Sequence, residues 1–102
     1  MANTGLSHTD ITQIKQAIAQ FSDIDEVFIF GSRAKGTYKK GSDIDLAIQF
    51  SKYEHPPVQL IHDLLEEETP LPYFFDEIDI STIENQDLKG HINRIAVPLS
   101  SL

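Results

Sequence analysis

The stretch Val27-Phe28-Ile29-Phe30-Gly31-Ser32-Arg33-Ala34-Lys35-Gly36, continued by Gly41-Ser42-Asp43-Ile44-Asp45-Leu46-Ala47-Ile48, decides how this chain of 102 residues is read. Four consecutive apolar, β-prone residues, Val27 to Phe30, have the pattern of a buried strand. The strand runs straight into Gly31-Ser32. Residues 31–42 hold three Gly, two Ser, one Thr and four basic residues, and read as a loop with a helical turn near Arg33 to Lys35. Asp43 to Phe50 then alternates. Ile44, Leu46, Ile48 and Phe50 face one way, and Asp43, Asp45, Ala47 and Gln49 face the other.

The two carboxylates carry the chemistry. Spaced by two in a strand, Asp43 and Asp45 project from the same face, about 7 Å apart along the chain. Like charges so placed repel unless a cation lies between them. Hard oxygen ligands suit Mg²⁺ or Mn²⁺, which bind through a few carboxylates plus substrate phosphates. Gly31 allows a close approach of backbone to a ligand. Ser32 offers a hydroxyl and an N–H, a helical turn offers further N–H groups, and Arg33 or Lys35 adds positive charge for a phosphate. Metal-binding acids on one side and an anion cradle on the other describe a nucleoside triphosphate site.

Outward from this core, Ser7 to Asp10 reads as a capping box that opens a helix of about four turns, with Ile11, Ile14, Ala17, Ile18 and Phe21 on one face. Pro56-Pro57 opens a second helix carrying Val58, Leu60, Ile61, Leu64 and Leu65. Tyr73 to Ile80 is a third strand, interrupted by Asp76, Glu77 and Asp79. Asn85 is the N-cap of a last helix bearing Leu88, Ile92 and Ile95, stopped by Pro98. The fold class is α/β: one small mixed sheet of at least three strands with helices packed on it. Residues 1–102 form a single domain, with 1–6 expected to be flexible.

Composition narrows the function. Lys and Arg total 8 and Asp and Glu total 16, a formal net charge of −8. Such a balance argues against direct nucleic-acid binding, which needs basic surface. Four of the eight basic residues (Arg33, Lys35, Lys39 and Lys40) cluster in eight positions, which suits one small anion. The absence of Cys excludes a disulfide scaffold, thiolate zinc and a Cys nucleophile. No apolar run approaches a membrane span and no signal peptide is read, so a cytoplasmic location is the default expectation. The four His are scattered and read as surface residues, and Glu66-Glu67-Glu68 reads as a solvated helix end.

Gly31-Ser32, ten residues, then Asp43-x-Asp45 resembles the signature of the DNA-polymerase-β-like nucleotidyltransferase superfamily. The wording Gly-Ser-Arg-Ala-Lys-Gly and the sequel Ser-Asp-Ile-Asp-Leu-Ala-Ile look like its minimal nucleotidyltransferase branch, the small partner of HEPN-domain proteins in toxin–antitoxin pairs. The resemblance implies a polymerase-β palm-like fold and a third carboxylate on a neighbouring strand. Phe75-Asp76-Glu77-Ile78-Asp79 fits with Asp76 as that acid and Asp79 as the fallback; Glu77 departs from the apolar residue expected there.

The resemblance further implies Mg²⁺-dependent transfer of AMP from ATP to a hydroxyl. Asp43, Asp45 and Asp76 would be the catalytic, metal-binding acids, and Gly31, Ser32, Arg33, Lys35 and Ser42 would bind the nucleotide. The acceptor expected is a side chain of a HEPN-domain RNase toxin, in a hetero-oligomer with this chain as antitoxin. The alternative is a catalytically weak or inactive module that neutralises the same partner by complex formation. A small-molecule nucleotidyltransferase is a third, less supported reading.

Overall fold

Ser7 starts the first helix as the sequence pattern predicts. In the computed structural model, which describes residues 4–52 and 54–102, its side chain accepts from the Asp10 N–H while the Asp10 carboxylate accepts from the Ser7 N–H, a reciprocal capping box. Helix α1 (His8–Ile18) buries Ile11, Ile14, Ala17 and Ile18. It is three turns long, and Phe21 packs on the core from beyond its end. Strand β1 (Ile24–Phe30) passes directly into the short helix α2 (Gly31–Lys35). Strand β2 (Ile44–Phe50), helix α3 (Val58–Glu67), strand β3 (Phe75–Asp79) and helix α4 (Gln86–Ile95) follow. The Asn85 side chain caps α4 by accepting from the Asp87 and Leu88 N–H groups.

After α4 comes a strand that the sequence did not announce, followed by a 3-10 turn over Leu99–Ser101. Strand β4 (Val97–Pro98) pairs antiparallel with β1, Phe28 opposite Pro98 and Ile29 opposite Val97. Pro98 reads as a helix stop, and it is also tolerated in an edge strand, where no ladder N–H is required of it. The sheet order is β3-β2-β1-β4, with β1–β2 antiparallel and β2–β3 parallel, so the sheet is mixed. A parallel neighbour requires a crossover, which α3 supplies.

The alternation read in Asp43 to Phe50 decides which face each residue takes. Ile44, Leu46 and Ile48 lie in the main core with Val27, Ile29 and Phe75, beneath residues from α1 and α3. The opposite face presents Ala47 to a smaller cluster with Ile83 and Ile92, joined by Phe28, Phe30 and Ile78. Helix α4 covers only part of that second face, and Asp45 and Asp76 occupy its uncovered end. Two residues of the N-terminal segment make contacts with the rest of the fold. Thr4 is buried and its carbonyl accepts from Arg33 Nη1 at 2.9 Å, while Leu6 packs on the core. Residues 1–3 of the segment expected to be flexible lie outside the described residues. No helix among the described residues is long and apolar enough to cross a membrane.

Candidate active site

Gly31 joins the two halves of the sequence signature. It adopts φ +70°, a left-handed conformation that favours glycine. A Cβ built there would lie 2.1 Å from Asp45 Oδ2. Backbone and carboxylate are thus in direct apposition, and the Gly31–Ser32 corner closes onto the acid end of β2. The β1–β2 register produces this arrangement, because Phe30 is the Cα partner of Asp45.

The third acid is placed by the parallel pairing. Asp76 is the register partner of Asp45, on the same face, one strand away. Asp43 lies exposed immediately before β2. Burial raises the Asp45 pKa above the usual carboxylate value, and the negative charges of Asp76 and Asp43 raise it further. The three acids therefore share one electrostatic field. They do not form a finished cage. Among the described residues, no three His, Cys, Asp or Glu side chains are gathered closely enough to hold a metal ion. Uncompensated carboxylates repel one another, and a positive charge among them relieves that repulsion. The donor set fits a hard divalent cation: oxygen only, partly exposed, at a site where added positive charge relieves the strain on Asp45.

Asp79, the fallback, occupies the other face. Its Cα partner is Ile48, and it is buried. One carboxylate oxygen accepts from the Ser81 N–H and hydroxyl at 2.9 and 2.8 Å, and the other lies 3.0 Å from His55 Nε2. Asp79 thus caps the turn at Ile80–Thr82 and stands apart from Asp45.

Glu77 shares that covered face. Its Oε1 is 2.7 Å from His62 Nδ1 on α3, and its side chain is only 3% exposed. The second oxygen, Oε2, is buried without a hydrogen-bond partner. Burial raises the Glu77 pKa, against the lowering effect of His62. The hydrogen bond to Glu77 raises that of His62, with further help from the charges of Glu77, Glu66 and Asp63. Where the family pattern has an apolar residue, this chain places a carboxylate and a histidine to meet it. Glu66 completes the arrangement. It lies 3.3 Å from His62 Nε2 and accepts the Phe75 N–H at 2.8 Å, so it is no solvated helix end.

Two of the residues expected to bind nucleotide have other work. Arg33 is 2% exposed. Its guanidinium donates to the Ser42 carbonyl from Nε and Nη2, at 3.2 and 2.8 Å, and to the Thr4 carbonyl from Nη1. It also lies 5.3 Å from the Tyr38 ring centre and 5.0 Å from that of Tyr73. Arg33 therefore braces the loop that delivers Asp43, and its guanidinium, expected to meet a phosphate, is engaged by these two carbonyls. Ser42 is the other end of the brace; its hydroxyl accepts the Lys39 N–H at 2.7 Å. Lys35 remains exposed at the end of α2.

One residue read as surface belongs here. His91, on α4, accepts the Gly31 N–H through Nε2 at 3.1 Å and meets the Phe30 ring edge-on at 6.2 Å. Nothing in the spacing of the four His marks this one; only the packing of α4 on β1 and α2 brings it to the corner. The Ser32 and Arg33 N–H groups, which open α2, have no intrahelical partners.

The model of the family described as Polymerase beta, Nucleotidyltransferase matches residues 12–97. The chain belongs to this family. Among its relatives, this nucleotidyltransferase is 33% identical over 99 residues to the probable protein adenylyltransferase MntA of Haemophilus influenzae, covering 94% of this chain and 83% of that protein. That relative places it in the minimal branch. Two solved structures share the fold. A toxin–antitoxin with AMP-PNP superposes with a TM-score of 0.67 at 18% identity, over 88% of this chain and 72% of that one. A mutant of the MntA–HpeT toxin–antitoxin gives 0.66 at 16% identity, over 87% and 71%. The nucleotidyltransferase thus has the small mixed sheet expected of a polymerase-β-like fold.

Proposed function

We propose that this nucleotidyltransferase moves AMP from ATP to a side-chain hydroxyl of a partner protein, and that the partner is a HEPN-type RNase toxin which it silences. The apposition of Gly31 with Asp45, and of Asp45 with Asp76, carries the reading: a phosphate-approachable backbone corner and an acid set meet at one end of the sheet. The name of the H. influenzae relative and the toxin–antitoxin assemblies with the same fold support the choice of acceptor.

Asp43 and Asp45 would hold Mg²⁺ together with Asp76. The ion, when bound, supplies Lewis-acid stabilisation of charge on the phosphoryl oxygens. Asp76, exposed on β3, would orient the acceptor hydroxyl and take its proton. Ser32 and the amides of Ser32 and Arg33 cradle the triphosphate, and Lys35 offsets charge on the departing pyrophosphate. Alignment and electrostatics dominate, as phosphoryl-group chemistry requires.

The test uses the whole chain with α-labelled ATP, Mg²⁺ and the protein encoded beside it. Label appears on the partner and is lost when EDTA removes the metal. An unlabelled partner, under conditions where the two proteins bind, rejects the reading. A second reading, neutralisation by binding alone, is favoured by Phe74, an aromatic side chain 72% exposed immediately before β3. If the Asp43→Asn, Asp45→Asn double variant neutralises the partner in full, this second reading replaces the first.

A further inference from the structure

We propose that His91 is a positioning residue of the nucleotide site: its neutral imidazole accepts the Gly31 N–H and so holds the Gly31–Ser32 corner against Asp45, and protonation of the ring releases that corner. The inference rests on the reading of this corner as the triphosphate cradle.

The argument begins with valence. An imidazole nitrogen that accepts an N–H must carry a lone pair, so the proton of the neutral ring sits on Nδ1. A second ring proton would set an N–H against the Gly31 N–H, turning attraction into repulsion. The surroundings favour the neutral form. Burial lowers the His91 pKa, and the positive charges of Lys35 on α2 and Arg94 on α4 lower it further. Strand β1 contributes the Phe30 ring, edge-on, and no charge. Gly90 leaves space that Arg94 uses: a Cβ on Gly90 would come within 2.9 Å of Arg94 Nη1.

The corner is where such a hold matters. Gly31 lies in the left-handed region with Asp45 against its Cα, and α2 begins at this residue. Rotation of the Gly31 peptide would swing Ser32 and the amides behind it away from the acids. With its N–H taken by His91, Gly31 contributes shape to the cradle and leaves the phosphate to Ser32 and the amides that follow.

Two measurements on the full chain test this. The first is a pH titration of ¹H–¹⁵N spectra without nucleotide. The Gly31 amide should shift in step with the His91 ring in the wild type and stay flat in His91→Gln, whose amide oxygen supplies an acceptor that does not titrate. A Gly31 amide that ignores the His91 titration overturns the proposal whatever the activity.

The second measurement is Mg-ATP affinity across the same pH range. Wild-type affinity should fall about tenfold more than that of His91→Gln on acidification through the His91 transition, the loss of one part-buried hydrogen bond. His91→Ala should bind about tenfold more weakly than the wild type above the His91 transition and match it below. If His91→Ala does not fold, the wild type and His91→Gln still decide. An identical pH profile in wild type and His91→Gln overturns the role of His91 alone. Failure of the wild type to bind Mg-ATP at any pH overturns the nucleotide reading, and this inference with it.

Discussion

Strand β3 carries acids on both faces, and the two faces treat them differently. On the covered face Glu77 and Asp79 meet histidines, His62 from α3 and His55 from the β2–α3 connection, with Glu66 closing the first pair. On the open face Asp76 meets Asp45, and among the described residues neither forms a salt bridge. The comparison teaches that carboxylate count alone says little. One group brings its own counter-charges and stabilises the sheet–helix contact. The other leaves its repulsion in place, which suits an external cation.

The largest effect should come from the open face. Asp45→Asn should reduce AMP transfer more than about a hundredfold, because charge stabilisation at the reacting phosphoryl is lost. The same change should leave the melting temperature unchanged or raised, since it removes a partly buried, like-charge contact. A labelled-ATP assay beside calorimetry checks both. A melting temperature that falls with activity would erase the distinction between the faces.

Gly31→Ala should lower stability by about 1–3 kcal/mol, the usual cost of a side chain forced into a sparsely populated backbone region. Its Cβ also displaces Asp45, so transfer should fall beyond what unfolding explains. Denaturant melts and a rate measured well below the transition separate the two effects.

On the covered face the expected order is reversed. His62→Ala should destabilise by about 1–3 kcal/mol by leaving the Glu77 carboxylate without its partner. Transfer by the protein that remains folded should change little. The double variant His62→Leu, Glu77→Leu should recover much of that loss, because a packed apolar pair replaces a buried pair whose Oε2 is unpartnered. Chemical denaturation of the three proteins at neutral pH measures this.

The smallest effect is a pH dependence of stability. The pKa of His62 is raised in the folded state, so its contribution is complete below the unfolded value of 6.5 and is lost as pH rises through the folded value. The wild type should therefore lose stability above pH 6.5 relative to Glu77→Gln, in which the hydrogen bond that mainly raises His62 is weakened. Parallel curves for the two proteins would show that the pair does not couple to folding.

Much of this was legible in the residues. Alternation in Asp43 to Phe50 assigned both faces of β2, and the capping residues Ser7 and Asn85 located two helix starts. Asp76 was singled out by the resemblance, and the register sets it opposite Asp45 while Phe75, Glu77 and Asp79 take the other face of β3. What stayed hidden depends on contacts between distant segments. Nothing in the basic loop shows that Arg33 is gripped by the Ser42 and Thr4 carbonyls. His91 has no local pattern that ties it to Gly31, sixty residues earlier. His62 and Glu66 did carry a signal, a helical i, i+4 pair, but only the pairing of β2 with β3 brings Glu77 under them.

The contact between Gly31 and Asp45 also sets an order for decay. In a lineage released from selection for turnover, a side chain entering at position 31 must push the Asp45 carboxylate aside while it stands there. Shortening of Asp45 would remove that obstacle, though the left-handed backbone would still favour glycine. Descendants that have become pseudoenzymes should therefore lose the acid first and keep the glycine longest, which makes an intact glycine–serine corner a poor guide to whether such a protein still turns over.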